Sequence, residues 1–260
     1  MPSTRSHATV LAALGLASVG LLSAVAPAAS ASAAAAVQPQ SLSQAQSQSQ
    51  AHGVRYGYVP ISPAAHGSGI GPLASSSPWG GYAATGSGFT SITGSWTEPA
   101  VTCNSRNNLF APWVGIDGYG SQTVEQTGVE TSCSSGRPVY RAWYEMYPAQ
   151  PVYLSNPVSV GDSFTGTVTT TAGSGSYRLT LVDNTKGWSY TTTQRLRGAN
   201  VSAEAIIESP TQSYPSFNAV TFTGITVNGN TFSAYRPIAL ASGQYVPTAL
   251  NGGTFSLIPG

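Results

Sequence analysis

From Pro78 onward, apolar and polar residues alternate in steps of two, and no stretch carries the 3.6-residue period of a helix. Ser163–Thr171 reads SFTGTVTTT and puts Phe164 and Val168 on one face. Tyr177–Val182 reads YRLTLV, and Ala219–Val227 reads AVTFTGITV. The last segment runs into Asn228-Gly229-Asn230, a hairpin signal because Asn and Gly tolerate positive φ. Trp113–Ile116, Thr123–Gln126, Val139–Tyr147 and Ser202–Glu208 also read as strands. Many short strands separated by Gly and Asn turns predict an all-β antiparallel sandwich or jelly roll over residues 78–260.

The first 77 residues are different material. Val10–Ala29 is small, apolar and uncharged, and Ala29-Ser30-Ala31 and Ala31-Ser32-Ala33 fit the small-x-small rule for a signal peptidase. Residues 1–33 therefore read as a secretory signal peptide and not as a membrane anchor, and the mature protein is expected outside the cell. Residues 34–77 read as a pro-segment or disordered leader, because QPQSLSQAQSQSQA at Gln38–Ala51 cannot bury a core.

Composition removes most chemistries. The three histidines, His7, His52 and His66, all precede Pro78, so the domain has no Ser-His or Cys-His nucleophile system and no His-ligated zinc. The domain carries seven Arg and one Lys against nine Asp and Glu, a net charge of −1, which is not the footprint of a nucleic-acid binder. In a secreted protein the two cysteines, Cys103 and Cys133, read as one disulfide. Acid–base chemistry is left to the nine carboxylates.

Alternation narrows that set. On Val139–Tyr147, Arg141, Trp143, Glu145 and Tyr147 share a face, as in the floor of a cleft. On Ser202–Glu208, Glu204 and Glu208 share a face but stand about 13 Å apart at roughly 3.3 Å per residue, too far to act as a pair on one strand. Gln122, Val124 and Gln126 share a face, and a glutamine among apolar neighbours needs hydrogen-bond partners or a ligand.

Five segments in order resemble the glutamic peptidase (eqolisin, scytalidoglutamic peptidase-like) family. They are Trp79-Gly80-Gly81, Trp113-Val114-Gly115-Ile116-Asp117-Gly118, Gln126-Thr127-Gly128, Ala142-Trp143-Tyr144-Glu145-Met146-Tyr147-Pro148 and Ala203-Glu204-Ala205-Ile206-Ile207-Glu208. The resemblance implies a concanavalin A-like sandwich of two large sheets and an acid-acting endopeptidase made with an inhibitory pro-segment. It places the catalytic pair on Gln126 and Glu208. It places cleft residues on Trp79, Trp113 and Glu145; with Trp143 and Tyr147 from the shared strand face, and Asp117, these make the expected substrate-binding set. No cofactor or metal is implied; the expected partners are protein or peptide substrates, with no nucleic acid, no membrane after signal removal, and a monomeric state. Fungal members often carry Asp where this chain has Glu130 and Arg141, which leaves subsite preference open. Two alternatives stand beside this reading: a carbohydrate-binding or lectin-like sandwich, with Trp79, Trp113 and Trp143 stacking on sugar rings, or a catalytically dead homologue of the family that only binds peptides. A glycosidase would use Glu208 with Glu145.

Overall fold

The computed structural model describes residues 58, 60, 61 and 77–260; the expected signal peptide and nearly all of the expected leader, with His52 and His66, lie outside the described residues. Fifteen strands follow in chain order. The first five are β1 (Trp79–Thr85), β2 (Ser91–Thr97), β3 (Leu109–Ile116), β4 (Val124–Ser132) and β5 (Val139–Tyr147). Next come β6 (Val152–Tyr153), β7 (Ser163–Thr170), β8 (Ser176–Asp183), β9 (Trp188–Arg195) and β10 (Ser202–Glu208). The last are β11 (Val220–Val227), β12 (Asn230–Thr231), β13 (Ile238–Leu240), β14 (Tyr245–Pro247) and β15 (Phe255–Pro259). The described helical content is one 3-10 turn at Phe232–Tyr235.

Two antiparallel sheets face each other. The order in one is β13-β1-β10-β3-β4-β5-β6, and in the other β14-β15-β11-β2-β7-β8-β9 with β12 paired to β11. Phe110, Val114, Phe164, Leu179, Leu181, Ile207 and Phe222 fill the space between them. The β11–β12 hairpin turns through Asn228 (φ 48°) and Gly229 (φ 75°), as the sequence predicts.

The sheets differ in how they meet water. Strands β2, β7 and β8 alternate buried and part-exposed positions, the pattern of a sheet with one wet face. Strands β3, β4 and β10 are buried along their whole length. Their second face carries its own apolar cluster, with Trp79, Trp113, Trp143, Ile206, Leu240, Tyr58 and Ile61. The same face buries Gln126, Glu145, Glu204 and Glu208, so polar chemistry sits under an apolar cover. No described helix is long and apolar enough to cross a membrane.

A single bond joins Cys103 to Cys133, with Cα atoms 5.7 Å apart. It ties the loop before β3 to the end of β4, and those two strands carry Trp113 and Gln126.

Candidate active site

Strand pairing gathers the site, because residues directly opposite each other in an antiparallel sheet point to the same side. Glu204, Gly115, Gln126 and Glu145 are successive partners across β10, β3, β4 and β5 and form one row. Ile206, Trp113, Gly128, Trp143 and Tyr153 form the next row, extended across to β6. Trp79 pairs with Glu208, and Glu130 with Arg141, in a third. Gln126 and Glu208 thus share a face, two strands apart, with Trp113 on the strand between them.

Two glycines make the close packing possible. A Cβ at Gly128 would lie 2.3 Å from Pro112 O and 2.7 Å from Trp113 Cβ, so the residue ending Gln126-Thr127-Gly128 has to be bare. Gly118, at φ +115°, would strike the Trp79 ring at 2.7 Å.

Hydrogen bonds fix the polar groups. Trp113 Nε1 donates to Glu208 Oε2 at 3.2 Å, and the Trp113 ring meets Trp79 edge-on with centroids 4.8 Å apart. Gln126 Nε2 donates to Glu145 Oε2 at 2.8 Å. Its second proton goes to the main-chain oxygen of Tyr58, 3.0 Å away. Tyr58 N donates back to Glu145 Oε2 at 3.2 Å. A primary amide nitrogen carries two protons, and both are used here. Gln126 Oε1 is buried and has no hydrogen-bond partner among the described residues. Burial pushes the Glu145 carboxyl up to about 8, against the opposing pull of the bonds from Tyr58 N and Gln126.

Tyr58 belongs to the expected leader, yet it is fully buried in this site. Its ring stacks on Trp143 with centroids 4.2 Å apart and planes 12° apart. Its hydroxyl donates to Glu130 Oε2 at 2.8 Å. Burial raises the phenol pKa well above its ordinary value, with the charges of Glu130 and Glu208 adding to the effect. Three residues on, Ile61 forms a parallel bridge with Tyr119. Ile61 N donates to Gly118 O at 2.9 Å, and Gly120 N donates to Ile61 O at 3.0 Å.

The expected site residues divide on placement. Gln126, Glu208, Trp79, Trp113, Trp143 and Glu145 meet on the one face just described. Tyr147 continues the same face of β5 and packs, half-buried, at the edge of the apolar cluster. Asp117 does something else. With φ +65° it turns its carboxylate to the 198–201 loop, accepting from Asn200 N at 2.8 Å and Val201 N at 2.9 Å. It also lies against Glu125, whose side chain points to the opposite face of β4 from Gln126. Asp117 therefore anchors a loop, and it is the main chain of its neighbour Gly118 that meets the peptide segment at Ile61.

Sequence reasoning missed how Glu130, Arg141 and Tyr153 act together. Arg141 Nη2 donates to Glu130 Oε1 at 2.5 Å, Tyr153 OH donates to Glu130 Oε2 at 2.5 Å, and the guanidinium lies 4.0 Å over the Tyr153 ring. The signal was the β4–β5 hairpin: the register that sets Gln126 opposite Glu145 also sets Glu130 opposite Arg141.

The family model described as the Peptidase A4 family matches residues 77–251. The chain belongs to the peptidase A4 family. Aspergillopepsin-2 of Aspergillus niger is 30% identical over 177 residues, which cover 57% of this chain and 63% of that protein's length. Among solved structures, scytalido-glutamic peptidase with a peptide-based transition-state analog is 25% identical with a TM-score of 0.61, covering 73% of this chain and all of that one. SCP-B, a member of the eqolisin family in complex with the tripeptide Ala-Ile-His, is 25% identical with a TM-score of 0.58, over 73% of this chain and all of that one. These matches agree with the eqolisin resemblance read from the five segments, and the paired sheets of this A4 chain are the eqolisin sandwich.

Proposed function

We propose that this A4 chain is a secreted, acid-acting glutamic endopeptidase, with Glu208 as general base and Gln126 as oxyanion donor. One observation carries the reading: the Gln126 side-chain amide, itself buried, donates to a main-chain carbonyl oxygen, that of Tyr58, at 3.0 Å. A donor held on a peptide carbonyl is the arrangement that stabilises the negative charge formed when that carbonyl is attacked.

The chemistry is then as follows. Glu208 takes a proton from a water molecule as the water oxygen bonds to the carbonyl carbon. The oxygen that becomes negative is held by Gln126 Nε2. Glu145 accepts the other Nε2 proton and so fixes which end of the amide faces the substrate. Glu208 passes its proton to the leaving nitrogen, the C–N bond breaks, and an acid and an amine leave. The substrates are proteins or peptides, whose main chain pairs with the Gly118–Gly120 strip as Ile61 does. Residues 1–33 act as the signal peptide, and residues 34–77 as the pro-segment of a zymogen.

The test is to incubate the mature protein, freed of residues 1–77, with a denatured protein at acid pH, in the presence of pepstatin to silence paired-aspartate peptidases, and to look for fragments. A substrate left intact across pH 2–6 would end the reading.

A further inference from the structure

Resting on the peptidase reading, we propose that Trp143, Glu130, Arg141 and Tyr153 form a tyrosine-selective subsite. It receives the side chain of the residue whose carbonyl Gln126 holds, and Tyr58 fills it in the uncleaved chain.

The main-chain contacts of the 58–61 segment are indifferent to sequence. Tyr58 N and O meet Glu145 and Gln126, and Ile61 N and O meet Gly118 and Gly120; any residue presents the same groups. The Tyr58 side chain is treated differently. Its flat face is matched by the Trp143 indole at 4.2 Å, which suits any aromatic ring. Its hydroxyl meets a carboxylate oxygen at 2.8 Å, which suits only a phenol. That carboxylate, Glu130, is itself buried and is aimed by two further donors, Arg141 on Oε1 and Tyr153 on Oε2.

The direction of these bonds sets the selectivity. Glu130 accepts, and it is surrounded by donors. A phenylalanine ring would stack equally well but leave one acceptor position of a buried carboxylate unfilled. Losing one hydrogen bond to a buried carboxyl sets a preference of about 10-fold to 100-fold for tyrosine over phenylalanine. Glu130 keeps Arg141 and Tyr153 when the phenol is absent, which holds the preference within that range.

Two measurements on the full chain test this, the first after acid treatment has cleared the 34–77 segment from the site and the second with that segment in place. In the first, peptides identical except for Tyr or Phe at one position are digested at acid pH, and cuts are mapped by mass spectrometry. The expected ratio of kcat/KM, Tyr over Phe, is about 10 to 100, with cuts following the tyrosine. The second needs no activity of this protein. In a Glu208→Gln background, chymotrypsin is added at neutral pH and the rate of cutting at the Tyr58–Val59 bond is compared with the same chain carrying Tyr58→Phe. Each rate is divided by that of a free peptide of the same sequence. Tyr58→Phe is expected to raise the normalised rate about tenfold or more. A ratio near one in either measurement overturns the subsite. Failure to cut any peptide in the first would count against the peptidase reading, and the second then judges the subsite alone.

Discussion

Gln126 and Glu145 sit directly opposite each other on β4 and β5, and Gln126 Nε2 donates to Glu145 Oε2 at 2.8 Å. This bond decides the orientation of an amide whose two ends have opposite hydrogen-bonding character. Glu145→Leu removes the acceptor, freeing the amide to rotate its oxygen toward the substrate carbonyl. The expected result is a fall in kcat/KM of about 10²-fold, the scale of a displaced catalytic group. Glu145→Gln keeps an acceptor oxygen and should restore part of the loss. Equal activity in Glu145→Leu and the parent would contradict the orienting role.

The proposed roles of Gln126 and Glu208 predict an ordering of variants. Glu208→Gln keeps the acceptor for Trp113 Nε1 but cannot take a proton from water, so turnover of a denatured protein should vanish while the fold is kept. Gln126→Ala removes the oxyanion donor and should cost about 10²–10³ in turnover. Glu204→Gln should cost far less. Glu204 shares the row of Gln126, but its Oε1 accepts from Tyr119 N at 3.3 Å, so it serves the loop beside the cleft. Full activity in Glu208→Gln would refute the assignment of the base.

How much of this was legible in the chain depends on where the alternation was visible. β7, β8 and β11 announce themselves because one side of each faces water, and the Asn228-Gly229 turn fixes a hairpin. β1 carries no such pattern: Trp79–Ala84 is buried on both faces, so nothing alternates. The face shared by Arg141, Trp143, Glu145 and Tyr147 was readable from spacing. The pairing of Glu130 with Arg141 needed the β4–β5 register, which the sequence does not state. Tyr58 was not legible at all. It stands outside the domain in a Gly- and Pro-containing leader, and its ring and hydroxyl meet Trp143 and Glu130, residues far along the chain that no local alternation connects to it.

The Cys103–Cys133 bond closes a loop spanning a sequence separation of 30 around β3 and β4. In the chain-entropy model, a loop of that size is worth about 3.5 kcal/mol. The double variant Cys103→Ala, Cys133→Ala should lower unfolding stability by about that amount, read as a lower urea midpoint with a somewhat steeper slope, because the unlinked denatured chain exposes more surface. Because Trp113 and Gln126 lie inside the loop, KM and kcat measured well below the new midpoint should change little. An unchanged urea midpoint would show that the bond adds nothing to stability.

The buried glutamates predict a fold that is firmer in acid. Burial pushes Glu98 and Glu145 up to about 8 and Glu125 up to about 9, and raises Glu204 well above its usual value of 4.5. Glu98 shows the cause plainly: it is fully buried, one oxygen accepts from Thr131 Oγ1 at 2.5 Å, and the other has no partner among the described residues. Each such group keeps its proton in the folded chain at a pH where the unfolded chain has released it. The folded state therefore binds more protons between about pH 4.5 and pH 8, and stability must fall as pH rises through that window. Below about pH 4.5 both states are protonated and the contribution is fully present. The slope is at most about 1.4 kcal/mol per pH unit for each group. Urea unfolding at pH 4, 6 and 8 should give a steadily decreasing free energy. Glu98→Gln, neutral at every pH, should flatten the profile by up to one group's share. A profile that rises from pH 4 to pH 8, or a Glu98→Gln variant with the parent's slope, would show that these carboxyls are ionised in the folded protein.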